Sequence, residues 1–183
     1  MKIKTPLTDQ DLASLKAGDQ IYLSGTIYTG RDAAHKRLVA LIKENKDLPF
    51  NFNGTAIYYV GPSPKKPNQV IGSAGPTSSY RMDAYSPLLM EHGLKVMIGK
   101  GPRSEEFKKE LVKHKGVYLS AVGGAAALIS KSIKKCTLIA YEELGAEAIY
   151  ELEVEDMPLI VTYDIYGNDL FAEGIAKHQK RKI

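Results

Sequence analysis

Cysteine is almost missing from this sequence: among 183 residues there is one, Cys136. A single thiol cannot close an internal disulfide, which fits a reducing compartment. Nor can it hold an iron–sulfur cluster, because such clusters are bound chiefly by several cysteine thiolates. No run of about eighteen apolar residues occurs, so no membrane span is expected. The opening stretch, Met1 to Asp11, is polar and carries Pro6, so no signal peptide is expected and the cytoplasm is the expected location. His, Cys and Asp do not cluster at metal-ligand spacing, and no metal site is expected. A nucleophile–base pair with a third orienting group is also missing, which disfavours acyl transfer. Basic residues do not form a stripe interleaved with aromatics, so nucleic acid is not an expected partner. Internal repeats and low-complexity segments are absent.

What remains is ordinary for a folded protein. Apolar residues make up 44% and charged residues 25%, enough to bury a core and too apolar for disorder. The length suits one domain over residues 1–183. Lys and Arg number 25 against 21 acids, a formal charge of +4. Part of that excess lies in His178-Gln179-Lys180-Arg181-Lys182, which reads as a solvated end.

Strands and helices interleave, so the class is α/β, and successive strands near the end point to a mixed sheet. Thr8, followed by Asp11, reads as a capping box opening a helix that Gly18 ends. Gln20 to Ile27 reads as a strand, then Asp32 as the N-cap of a helix carrying Leu38, Leu41 and Ile42. Ala56–Val60, Val96–Gly99, Val117–Leu119, Cys136–Tyr141, Ile149–Val154 and Leu159–Tyr163 read as further strands. Helices are expected at Ser86–His92, from Ser104 to about Lys113, and over Ala125–Ser132. A long Pro- and Gly-rich loop fills Gly61 to about Ser79, a length that is usually functional or mobile.

Four segments place polar and glycine residues where a core has no use for them. The first, Ser24 to Arg37, lies at a strand-to-helix junction, where backbone N–H groups favour anions. Arg31 there offers a planar fork that matches a carboxylate bidentately. His35 is four residues on and shares its helix face if the helix starts early enough. The second, Gly75 to Asp83, follows a Gly-Pro turn with Thr77, Ser78 and Ser79 and then Arg81. The third is Gly99-Lys100-Gly101, where glycines permit close approach to a ligand and Lys100 adds a point charge. It lacks the Walker phosphate pattern. The fourth is Gly123-Gly124 with the alanines after it, which suits tight packing as well as ligand approach. On residue types alone, local ion pairs, a loop cap and tight packing are the simpler account of each segment taken singly. Taken together, two arginines, a lysine and several hydroxyls near strand ends suit a small dianion.

The run Gly25-Thr26-Ile27-Tyr28-Thr29-Gly30-Arg31-Asp32-Ala33-Ala34-His35-Lys36-Arg37 resembles the signature of the C-terminal domain of class I, iron–sulfur fumarate hydratases. GPTSSYRMD (Gly75 to Asp83), GKG (Gly99 to Gly101), GGAAAL (Gly123 to Leu128) and Glu153 to Pro158 are similar to that family's later motifs and follow its order. Pro6-Leu7-Thr8 stands close before the first helix, as in the family's free-standing β subunit. The resemblance implies a swivelling β/β/α domain. It also implies a hydro-lyase that interconverts fumarate and malate, active only with an alpha subunit that carries a 4Fe–4S cluster.

Arg31 would then clamp one carboxylate of the substrate. Thr77 and Arg81 would hold the other end, with Thr77 close to the reacting carbons as the catalytic residue of this chain. Lys100 would add a charge contact. Asp32, His35 and Ser78 would organise these side chains from behind, and Ser78 stands where many relatives have Thr. Thr29-Gly30 and Ala33-Ala34 favour a fumarase over the similar β subunit of L(+)-tartrate dehydratase. A dicarboxylate-binding module without catalysis is the remaining alternative.

Overall fold

The computed structural model describes residues 1–121 and 126–178. Part of the small-residue motif, Val122 to Ala125, and the basic end from Gln179 onward lie outside the described residues. Among the described residues the class is α/β with a mixed sheet of seven strands. These are β1 (Lys2–Lys4), β2 (Gln20–Thr29), β3 (Ala56–Tyr58), β4 (Val96–Gly99), β5 (Val117–Ala121), β6 (Ile133–Ala140) and β7 (Ile149–Tyr163). The described helices are α1 (Asp9–Ser14), α2 (Asp32–Lys43), α3 (Ser86–Glu91), α4 (Glu105–Lys113), α5 (Ala126–Ser132) and α6 (Leu170–His178).

Strands β2, β3, β4 and β5 run parallel, each beside the next. β7 lies antiparallel to β5 on one edge and antiparallel to β2 on the other. The pairings therefore run in a ring, from β2 through β3, β4, β5 and β7 back to β2. β1 continues the edge of β2, and β6 extends β7.

Alternation along the strands divides the buried side chains into two clusters. Ile21, Leu23 and Ile27 of β2 join Tyr58, Ile98, Leu119, Leu152 and Val161 in one. Their neighbours Ile57, Tyr59, Met97 and Tyr118 point the other way and are covered by Leu38 and Ile42 of α2, Leu89 of α3, and Phe107 and Leu111 of α4. Each fully buried large apolar side chain contributes about 1.5–3 kcal/mol, so this outer layer fixes α2, α3 and α4 firmly against the ring.

Several local readings hold and several shift. Thr8 and Asp11 do form the capping box, but α1 ends at Ser14 because Leu15 turns extended; Gly18 serves the turn into β2 at φ +96°. The N-cap of α2 is Arg31, in extended backbone, and Asp32 is the first helical residue. Ile149–Val154 and Leu159–Tyr163 are one strand, not two. A bulge absorbs the residues between them: Asp156 takes a positive φ, and its N–H goes to the Ser24 hydroxyl (3.0 Å) instead of the ladder. Leu170 opens helix α6 after the turn that follows β7.

Candidate functional site

Because β2 to β5 are parallel, their C-terminal ends share one edge of the fold, and the polar segments leave from that edge. Ligands of α/β folds, open or closed, collect at the C-terminal ends of parallel strands. Arg31 follows β2, Gly61 follows β3, and the Gly-Lys-Gly turn ends β4. Two glycines are fixed there by space. A Cβ on Gly61 would stand 2.6 Å from an Arg31 guanidinium nitrogen. A Cβ on Gly99 would stand 1.9 Å from the Ser79 hydroxyl, which occupies that gap.

Arg31 is three-quarters buried and donates to Glu147 at 2.9 Å. Its backbone carbonyl lies 2.9 Å from Nδ1 of His35, one turn along α2. A carbonyl only accepts, so Nδ1 carries the proton and Nε2 is a bare acceptor. His35 is fully buried, and that burial pushes its pKa down to about 4, so the ring is neutral at pH 7. It therefore holds the Arg31 turn through the backbone, without adding charge.

Asp32 turns the other way and pairs with Arg81 at 3.3 Å. Arg81 also donates to Oγ1 of Thr77 at 2.6 Å. The Arg31–Asp32 turn and the Thr77–Arg81 turn thus meet. Ser78 bridges to Lys100, while Ser79 N–H donates to the Lys100 carbonyl (3.1 Å) and Lys100 N–H donates to Ser79 Oγ (2.9 Å). The structure therefore brings Arg31, Asp32, His35, Thr77, Ser78, Arg81 and Lys100 to one edge. Asp32 is the ionic link to Arg81, not to Arg31. The rim is open: the Lys100 side chain is exposed, and Arg81 keeps 36% of its side-chain surface. Three cations and a hydroxyl against two acids leave a net positive shelf suited to a small dianion.

Sequence reasoning passed over the layer beneath. Arg103, just past Gly-Lys-Gly-Pro, is buried with a side chain at 0% exposure. Its Nε donates to Asp83 and its Nη2 to the Ser86 hydroxyl (3.1 Å). Its guanidinium carbon stacks 3.4 Å from the Phe107 ring centre. Burial works against its charge, yet Tyr59 and Asp83 outweigh this and its pKa is raised. Glu147, Tyr59 and Tyr118 were also unmarked. Only an aromatic-rich surround of an arginine signals such a role, and it is assembled from segments far apart in the chain.

A largely apolar cavity of about 460 Å³ lies beyond Gly61, lined by Pro62, Pro64, Val70, Cys136, Leu138, Ala146 and Tyr150 among others. Neither arginine lines it. Cys136 is part-buried there, and burial raises its pKa, so the thiol is poorly poised as a ligand. Among the described residues, no helix is long and apolar enough to cross a membrane.

A family model described as "Fumarase C-terminus" matches residues 1–174. The chain is 42% identical over 168 residues to the anaerobic class I fumarate hydratase of Escherichia coli, covering 91% of this chain and 31% of that protein. It is 42% identical over 173 residues to a Methanocaldococcus jannaschii protein provisionally named L(+)-tartrate dehydratase subunit beta, covering 91% of this chain and 89% of that one. It is 37% identical over 169 residues to fumarate hydratase 2 of Leishmania major, covering 91% of this chain and 30% of that protein. The chain thus spans about a third of the fumarate hydratases it matches and nearly all of the subunit-type relative.

Proposed function

The chain belongs to the fumarase C-terminal family, and from that premise we propose that it supplies the carboxylate-holding half of a hydro-lyase site. The reaction we assign is reversible hydration of fumarate to (S)-malate, in which hydroxyl and hydrogen add across the carbon–carbon double bond. The observation that carries this reading is the meeting of two arginine turns through Asp32, Arg81 and Thr77 (3.3 and 2.6 Å). Arg31 takes one carboxylate in place of Glu147. Arg81 and Thr77 take the other end, with Thr77 nearest the reacting carbons, and Lys100 adds its charge from the rim. Ser78 and His35 hold the turns in register. Charged hydrogen bonds of this kind contribute roughly 1.5–3 kcal/mol each, and orientation lowers the barrier further.

The family's 4Fe–4S cluster, which serves as Lewis acid for the substrate hydroxyl, does not fit this chain. The sequence offers one thiol, Cys136, where such a cluster needs several cysteine thiolates. We place the cluster on an alpha subunit and make this chain its partner, one domain of the swivelling type. The ring of strands, with helices packed on its outer face, supports that description. A cytoplasmic location goes with the same reading.

The second reading, the β subunit of an L(+)-tartrate dehydratase, is favoured by the M. jannaschii relative and its 89% coverage. Reconstitution with a cluster-bearing alpha subunit, assayed on fumarate, malate and L(+)-tartrate, separates the two. Turnover of none of them, with tight fumarate binding by the chain alone, would leave a non-catalytic binding module.

A further inference from the structure

We propose that Arg103 is the positioning residue of this site, joining the turn that carries Arg81 to the turn that carries Arg31. The inference rests on the dicarboxylate reading of those two arginines.

On the Arg81 side the fastening is direct. Arg103 reaches Asp83 through Nε and Ser86 through Nη2, and the Ser86 hydroxyl donates to the Met82 carbonyl (2.8 Å). Met82 closes the short 3-10 turn Ser79–Met82 that contains Arg81. Asp83 also accepts the Ser104 N–H at 2.7 Å, so the turn is tied to the start of α4. The same layer reaches Lys100: the Tyr118 hydroxyl stands 2.8 Å from Ser79 Oγ and 3.1 Å from the Gly101 carbonyl.

On the Arg31 side four buried polar atoms lack a protein partner: Nε of Arg31, Nη1 of Arg103, the Tyr59 hydroxyl and Nε2 of His35. The last three sit on or beside the Tyr59 ring. The His35 ring meets Tyr59 edge-on at 5.3 Å between centroids, and the Arg103 guanidinium carbon is 5.3 Å from the same ring centre. Their hydrogen-bonding characters are complementary. Nη1 can only donate, Nε2 can only accept, and a hydroxyl does both. One ordered water that accepts from Nη1 and donates to Nε2 and the hydroxyl satisfies all three, as buried waters generally do for such groups. Through it Arg103 bears on His35, and His35 holds the Arg31 carbonyl. The guanidinium fork suits this task because one rigid plane addresses three partners at once.

The test uses the chain assembled with its cluster-bearing subunit. R103K keeps the charge but cannot reach Asp83, Ser86 and the water together. Mispositioned arginines raise KM for fumarate about tenfold and lower kcat as well. A merely structural role reduces the folded fraction and lowers apparent kcat alone. Y59F, which leaves the Arg103–Asp83 pair in place, raises KM in the same direction and carries the test if R103K does not fold. KM within twofold of the parent in every variant that folds overturns the proposal. A high-resolution crystal structure without a water touching all three atoms overturns the Arg31 arm. If the parent pair turns over none of the three acids, the proposed function fails instead. The positioning role is then judged on the R103K crystal structure, which must show Arg31 and Arg81 displaced on an otherwise unchanged ring.

Discussion

Replacing Asp83 with Asn tests the buried layer without touching a side chain assigned to substrate. The two side chains are equal in size, and Asn retains an oxygen that can accept the Ser104 N–H. What disappears is the negative charge facing Arg103, whose side chain has 0% exposure while that of Asp83 has 14%. Removing one partner of a buried ion pair costs about 3–5 kcal/mol, because the other charge stays buried and uncompensated. For a chain of this size each kcal/mol moves the melting temperature by about 2–4 °C. The expected loss is therefore about 6–20 °C, read by far-UV circular dichroism on heating, with urea unfolding as a second measure. The double variant D83N/R103M should regain most of it, since an apolar side chain needs no counter-ion among Tyr59, Phe107 and Tyr118. A D83N melting point within about 2 °C of the parent would refute the claim that this pair organises the layer.

Protonating His35 opposes burial, so its lowered folded pKa makes the unfolded chain the stronger proton binder between pH 6.5 and about 4. Stability should be intact above pH 6.5 and fall by about 3 kcal/mol as pH drops through that window; H35Q should flatten this part of a urea-midpoint profile. Gly99→Ala forces a methyl group onto Ser79, and the expected cost is about 1–3 kcal/mol, measured by the same unfolding assay. Arg31→Ala or Arg81→Ala in the assembled enzyme should cut turnover by roughly 100-fold or more while circular dichroism stays unchanged. Normal turnover would remove that residue from the site.

Much of this architecture was legible because it is written in local chemistry. The capping box of α1, the bounds of β4 and the Ser104 cap of α4 each depend on residues within a few positions of one another. The site residues were legible as motif members, but their pairings were not. Asp32 sits beside Arg31 in sequence yet bonds Arg81, because helix α2 turns its first carboxylate toward the 3-10 turn. Glu147 meets Arg31 across more than a hundred residues, through a hairpin that no periodicity announces. β7 read as two strands because Glu155-Asp156-Met157-Pro158 looks like a break; with β2 alongside, the break becomes a bulge.

The last stave of the ring also sets the order of assembly. β7 faces β2 from Gln20↔Ile160 to Tyr28↔Glu151, so the seam joins segments well over a hundred residues apart. Such distant pairing slows folding, because the intervening chain must be gathered first. Until Ile149–Tyr163 leave the ribosome, the inward side chains of β2 and β5 have no wall on that side and stay wet. The edge that holds Arg31, Thr77, Arg81 and Lys100 therefore takes its final shape only once this seam closes.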